Sequence, residues 1–232
     1  MIASAADAGT APAAAKNAPQ APLLTVRPLG VTRYLDCWTS MRAFTDGRGA
    51  TATDELWLTE HEPVYTLGLA GRAVHVRDAG DTPVVKVDRG GQVTYHGPGQ
   101  LVVYALLDLR RRRLGVRALV RTLEAAVVDW LAVHGVRAYG RTDAPGVYVD
   151  VAGREAKVAA LGLKVRNGCT YHGLSVNVAM DLAPFDGIDP CGFPGLAVTD
   201  LAALGVHVDV AGAGEALAAH LARRLDAPVR LD

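Results

Sequence analysis

Tyr34, Leu35, Trp38 and Met41 recur at the spacing of one helical face and predict a helix over residues 31–45, with Thr32 as its N-cap. Leu56-Trp57-Leu58 opens a strand, and His61-Glu62-Pro63-Val64-Tyr65-Thr66-Leu67-Gly68 follows it. Two apolar runs, 84–87 and 101–108, read as strands on either side of a glycine-rich stretch. The clearest helical periodicity is Leu119, Leu123, Val127, Trp130 and Leu131, which predicts a helix over 116–134 ended by Gly135. Three strands come next: 147–151, then 157–166 after a turn at Ala152-Gly153-Arg154, then 169–178. Asn167-Gly168, between the last two, is the signature of a two-residue hairpin. In the last strand Leu174, Val176 and Val178 alternate with Ser175 and Asn177, so one face is expected buried and the other polar. A turn-rich loop over 181–196 leads to short elements and a closing helix over 214–225. Strands that follow strands, with few helices, give an α+β fold: a mixed, mostly antiparallel sheet with flanking helices.

The chain has 232 residues, half of them hydrophobic, enough to bury a full core. Residues 1–22 are Ala- and Pro-rich and read as a disordered tail, which leaves 23–232 as a single domain. That tail lacks the charged and apolar regions of a secretory signal, and with one Lys and no Arg it does not suit a transit peptide. Twenty-four basic residues balance 24 acidic ones, which argues against nucleic-acid binding. No apolar run approaches the ~20 residues that span a bilayer. Three cysteines without a C-x-x-C pair fit neither a disulfide framework nor a zinc site, so no metal and a cytoplasmic setting are expected.

The segment Arg89-Gly90-Gly91-Gln92-Val93-Thr94-Tyr95-His96-Gly97-Pro98-Gly99-Gln100 packs four glycines into twelve residues. Glycine permits close backbone approach, so the segment reads either as backbone shaped around a ligand or as a long hairpin loop with a Pro-Gly turn. Cys191 lies between Pro190 and Gly192 in a loop, away from the apolar periodicity that marks structural cysteines. Cys37, beside Trp38, and Cys169, at the start of a strand, read as core. Lys157 opens a run without an acidic partner, Lys157-Val158-Ala159-Ala160-Leu161-Gly162. Held against apolar surroundings, a lysine loses hydration and becomes able to take a proton from a thiol. The plainer reading is a strand-end lysine that snorkels to solvent or pairs with Glu155.

Taken together and in this order, 89–100, 146–162 with Lys157, Thr170-Tyr171-His172-Gly173-Leu174-Ser175-Val176-Asn177 and Asp189-Pro190-Cys191-Gly192 closely resemble the lipoyl(octanoyl) transferase family. The match runs from about residue 56 to 201 and includes His61-Glu62-Pro63, Thr66-Leu67-Gly68 and Val198-Thr199-Asp200-Leu201. The resemblance implies the fold of biotin and lipoate protein ligases. It implies transfer of an octanoyl group from acyl carrier protein to a lysine of lipoyl domains, in 2-oxo acid dehydrogenase E2 subunits or the glycine cleavage H protein, without a cofactor. Cys191 would then carry the acyl group as a thioester, and Lys157 would lower the thiol's pKa and act as acid and base. Arg89, Gly90, Gly91, Gln92, Val93, Thr94, Tyr95 and His96, with Ala160, Leu161, Gly162, Gly173, Leu174 and Ser175, would contact the substrate. An orienting role falls to His172, which is also the alternative proton acceptor, since its pKa needs no tuning.

Exchange of one thioester for another keeps the acyl group activated, so no nucleotide is needed, and cysteine suits such covalent catalysis. Two other readings share the scaffold. An ATP-dependent lipoate or biotin protein ligase would need phosphate-binding chemistry but no nucleophilic thiol, and a non-catalytic carrier-binding protein would need neither Lys157 nor Cys191. Arg110-Arg111-Arg112-Arg113 reads as a solvated charged edge, or as a dock for an acidic carrier protein.

Overall fold

A computed structural model of the chain describes residues 22–232, the side chain of residue 191 excepted. The tail expected over 1–22 lies, but for Pro22, outside these residues. The order is β1 (Leu24–Thr32), α1 (Tyr34–Asp46), β2 (Asp54–His61), β3 (Val64–Leu67), β4 (Val84–Lys86), β5 (Val93–His96), β6 (Gln100–Leu106) and α2 (Val116–Val133). It continues through β7 (Ala138–Gly140), β8 (Gly146–Val151), β9 (Arg154–Arg166), β10 (Cys169–Asn177), β11 (Ala197–Val198), α3 (Val210–Arg224) and β12 (Val229–Leu231). Short 3-10 turns occur at Ala73–His75, Ala183–Gly187 and Pro190–Gly192.

The main sheet runs β12-β1-β2-β6-β10-β9-β8-β7, with β11 added beside β9, and a small sheet runs β4-β3-β5. Pairings through the centre of the large sheet, from β2 to β7, are antiparallel, while β12, β1 and β2 are mutually parallel. This is the mixed α+β sheet expected. β6 shows how its two faces are used. Leu101, Val103 and Ala105 enter a core with Leu119, Leu123 and Val127 of α2 and Leu217 and Leu221 of α3, whereas Val102, Tyr104 and Leu106 pack with Cys37 and Met41 of α1. A strand covered on both sides has no solvent face. β10 is likewise buried throughout, so its expected polar face, Ser175 and Asn177, is buried as well.

Local signals located most elements. Asn167 and Gly168 have φ of 54° and 79°, the paired positive values of a type I′ hairpin turn. α2 buries all five residues that predicted it. Three expectations change. Thr32 does not cap α1: parallel pairing with β2 carries β1 through Thr32, whose hydroxyl bonds Thr59 Oγ1 at 2.8 Å, and Arg33 precedes the helix without a side-chain cap. The closing helix starts a turn early, at Val210, because the Asp209 carboxylate accepts the Gly212 N–H at 2.7 Å. The glycine-rich segment contains a strand, β5, paired with β3. Among the described residues no helix is long and apolar enough to cross a membrane.

Candidate active site

Where the small sheet meets β9 and β10, a slot opens with a free volume of about 480 Å³, solvent mouth included. Alternation along β5 splits its residues: Thr94 and His96 line the slot, while Tyr95 packs against Tyr65 and Phe185 on the other side. The junction is backbone against backbone, since Gly90 N donates to Leu163 O at 2.9 Å. A Cβ on Gly162 would lie 2.7 Å from Gly90 O, so only glycine lets the two segments close on each other there. Arg89 turns inward, and its guanidinium donates to Thr66 O at 2.7 Å and Thr66 Oγ1 at 2.8 Å.

Three buried histidines cluster here, with His96 and His172 on the slot wall and His61 behind it against His96 and Tyr104, each held in one tautomer by its partners. His61 Nδ1 donates to Thr32 O at 3.1 Å, which leaves Nε2 to accept from Tyr104 Oη at 2.6 Å. His96 Nδ1 donates to Gln100 Oε1 at 2.7 Å. Burial pushes His61 down to about 4 and His96 down to about 3, so both rings are neutral near pH 7. His172 Nε2 meets Asp88 Oδ1 at 3.0 Å, and its buried Nδ1, like Tyr34 Oη, has no hydrogen-bond partner among the described residues. His172 has φ 60° inside β10, a left-handed conformation that costs roughly 1 kcal/mol or more in a non-glycine residue. Tyr171 and His172 therefore both reach Asp88, with ring centroids 5.0 Å apart, although they are neighbours on a strand. A polar chain runs on from His96: Gln100 Nε2 donates to Asn177 Oδ1 at 3.0 Å, Asn177 Nδ2 to Thr199 O at 2.9 Å, and Thr199 N to Lys157 O at 3.0 Å.

Lys157 is 3% exposed and lies within β9, not at its start. Neither plainer expectation holds for it: it does not snorkel, and Glu155 pairs with Arg141 at 2.5 Å. Its Nζ lies 4.9 Å from the Tyr148 ring centroid and donates to Pro145 O at 3.2 Å. The backbone of the turn Pro190–Gly192 abuts the slot, for a Cβ on Gly192 would lie 3.3 Å from Gln92 Cγ. From that turn the chain continues to β11, where Val198 pairs with Lys157. The side chain of Cys191 lies outside the described residues.

Of the substrate contacts implied by resemblance, Arg89, Gly91, Gln92, Val93, Thr94, His96, Ala160, Leu161, Gly162, Gly173, Leu174 and Ser175 line one slot, as does His172. Gly90 and Tyr95 do not line it, one being spent on the junction with β9 and the other facing away. Tyr34, Val102 and Tyr104 complete the wall and were not foreseen, because their contribution depends on packing between distant elements. Arg111 and Arg112 do not form a free solvated edge: with Arg48 they converge on the fully buried carboxylate of Asp54. Cys37 and Cys169 are buried, as expected.

Residues 33–222 match the family of lipoyl protein ligase A/B catalytic domains. The chain is 56% identical to an octanoyltransferase of Chromobacterium violaceum over 86% of its own length and 95% of that protein. It is 56% identical to an octanoyltransferase of Azoarcus sp. over 92% of its length and 91% of that protein. A bipartite lipoate protein ligase from Thermoplasma acidophilum shares its fold, with a TM-score of 0.71 at 18% identity over 92% of this chain and 87% of that one. The chain belongs to the lipoyl protein ligase A/B catalytic domain family, on its octanoyltransferase side.

Proposed function

We propose that the chain transfers an octanoyl group from acyl carrier protein to a lysine of lipoyl domains, with Cys191 as the acyl carrier and Lys157 as the proton acceptor. The observation that carries the reading is the burial of Lys157 on β9, the strand that supplies Ala160, Leu161 and Gly162 to the slot, in a chain 56% identical to octanoyltransferases. In the first step the Cys191 thiol gives its proton to Lys157 Nζ and its sulfur attacks the donor thioester. The carrier's thiol leaves with that proton, and a new thioester remains on the enzyme. In the second step the acceptor lysine's amine attacks the thioester, Lys157 takes a proton from it, and the C–S bond breaks to form the amide while Lys157 returns that proton to the Cys191 sulfur. The Tyr148 ring face offers the ammonium stage a cation–π contact worth roughly 0.5–2 kcal/mol. Slot glycines bring backbone N–H groups close to the acyl oxygen, where one donor is worth ~3–4 kcal/mol in the transition state. Each buried methylene of the chain adds ~0.8 kcal/mol. The acceptors are lipoyl domains of 2-oxo acid dehydrogenase E2 subunits and of the glycine cleavage H protein.

Intact mass spectrometry after mixing with octanoyl-acyl carrier protein, without ATP, tests this. One octanoyl group is expected on the wild type and none on Cys191→Ala. Lys157→Ala should slow acylation by ~10²-fold or more and raise the apparent thiol pKa. Turnover only with ATP and free acid would instead assign the chain to the ATP-dependent lipoate or biotin ligases. Neither adduct nor turnover would leave a carrier-binding protein.

A further inference from the structure

Glu124 stands on the buried face of α2 among Leu119, Leu123 and Val127, and is itself only 7% exposed. A carboxylate in such a place is costly unless it is paired or hydrogen-bonded. Its Oε1 accepts the Gly146 N–H at 2.9 Å. Lys157 Nζ donates to Pro145 O at 3.2 Å. Pro145 O and Gly146 N are the two ends of one peptide group, so a single amide plane is bonded by the carboxylate at one end and the amine at the other. Two glycines make room for this. A Cβ on Gly146 would lie 2.7 Å from Lys157 Cε and 2.9 Å from Nζ, and a Cβ on Gly140 would lie 3.0 Å from Glu124 Oε2.

We propose that Glu124 is a positioning residue for Lys157, which it acts on through the Pro145–Gly146 peptide, fixing where the amine sits and favouring its protonated form. The amide is polarised in one direction by both contacts: negative charge at its N–H and positive charge at its carbonyl strengthen each other. On the lysine's own strand, Glu155 is paired with Arg141. Other charged groups close to the pair have partners of their own or act on Glu124. Arg141 lies over the same Tyr148 ring at 5.4 Å but is held by Asp143 and Glu155, while Arg121, one turn back on α2, acts on Glu124. Burial raises the Glu124 pKa, and the Gly146 N–H, Lys157 and Arg121 oppose that rise. Its catalytic meaning rests on the transfer reading: a thiol proton passed to Nζ makes an ammonium, which Glu124 stabilises.

Glu124→Gln keeps an acceptor for the Gly146 N–H and removes the charge. Loss of a nearby negative charge disfavours the ammonium, so the lysine should titrate lower. Following the ¹³Cε resonance of Lys157, assigned by its absence in Lys157→Arg, we expect the titration to fall by about one pH unit in Glu124→Gln. The rate–pH profile of enzyme acylation should move with it. An unmoved lysine titration in folded Glu124→Gln overturns the proposal even if transfer is slower, because a merely structural role would slow transfer without moving the titration. Should that variant fail to fold, the wild type decides. The Gly146 amide resonance must then follow the Lys157 titration, and an amide indifferent to it overturns the coupling. Coupling without an octanoyl adduct would defeat the transfer reading alone, and an adduct without coupling would defeat this one alone.

Discussion

His172 Nε2 and Asp88 Oδ1 meet at 3.0 Å, and that contact decides which nitrogen of the ring faces the slot. Asp88 also accepts from Trp38 Nε1 at 2.9 Å and from Tyr171 Oη. Burial alone would raise the Asp88 pKa, yet the hydrogen bonds of His172, Tyr171 and Trp38 hold it well below the ordinary carboxylate range. A carboxylate can only accept, so Nε2 carries the hydrogen and Nδ1 is left as an acceptor at the slot wall. Burial lowers the His172 pKa, and the Asp88 contact opposes that fall. If it orients and does not take the proton, His172→Gln should slow acylation by about tenfold, against the ~10²–10⁴-fold typical of a lost general base. Asp88→Asn should do the same, and the double variant should be no worse than either single, since one acts through the other. Single-turnover rates across pH check this. A loss of ~10³-fold in His172→Gln, with the acid limb of the profile gone, would move the proton acceptor from Lys157 to His172.

What was legible in the sequence was local. The Asn167-Gly168 hairpin needs only two residues able to adopt positive φ, and α2 announces itself by five apolar residues on one face. The glycine-rich segment stood out as well, but the sequence left it open between backbone shaped around a ligand and a hairpin loop, and only packing against β9 places it on the slot wall. Pairings decided at a distance were not legible. β1 is interrupted by Pro28 and a register shift before Gly30, and β12 is a short exposed edge 205 residues away in the Thr25–Arg230 contact. Glu124 breaks an apolar helix face for the sake of a peptide on β8, and no helical periodicity can show that. Tyr34 and Tyr104 reach the slot from α1 and β6, elements that meet only once the sheet has formed.

Asp54 gives a stability test of the same kind of long-range contact. It is fully buried, accepts the Asp108 N–H at 2.9 Å, and pairs with Arg48, Arg111 and Arg112 at 2.5, 2.7 and 2.5 Å. Removing one member of a buried ionic cluster leaves the others without compensation, which typically costs 3–5 kcal/mol, or about 10 °C in melting temperature for a domain of this size. Asp54→Ala and Arg112→Ala should both show it in urea or thermal unfolding. Arg113→Ala, on the exposed side of the same tetrad, should stay within about 0.5 kcal/mol of the wild type. Equal melting of Arg112→Ala and Arg113→Ala would mean the four arginines are a surface run after all.

Two neighbouring buried histidines set an acid limit on stability. His61 and His96 lie with ring centroids 5.9 Å apart, and Tyr34 touches both, at 5.1 Å and 5.8 Å. Burial pushes their pKa values down to about 4 and about 3, whereas in the unfolded chain each returns to about 6.5. Between these values the unfolded state binds protons that the folded state refuses, so stability is complete above about pH 6.5 and falls as the pH drops below it. At pH 5 the two rings together should have cost roughly 4 kcal/mol, with His172 adding in the same direction. Urea unfolding at pH 7 and pH 5 measures the loss directly. His96→Gln should flatten the dependence, since an amide can keep one of the ring's hydrogen bonds while taking no proton. A free energy of unfolding that is level from pH 7 to pH 5 would show that burial does not hold the two ring pKa values down in the folded protein.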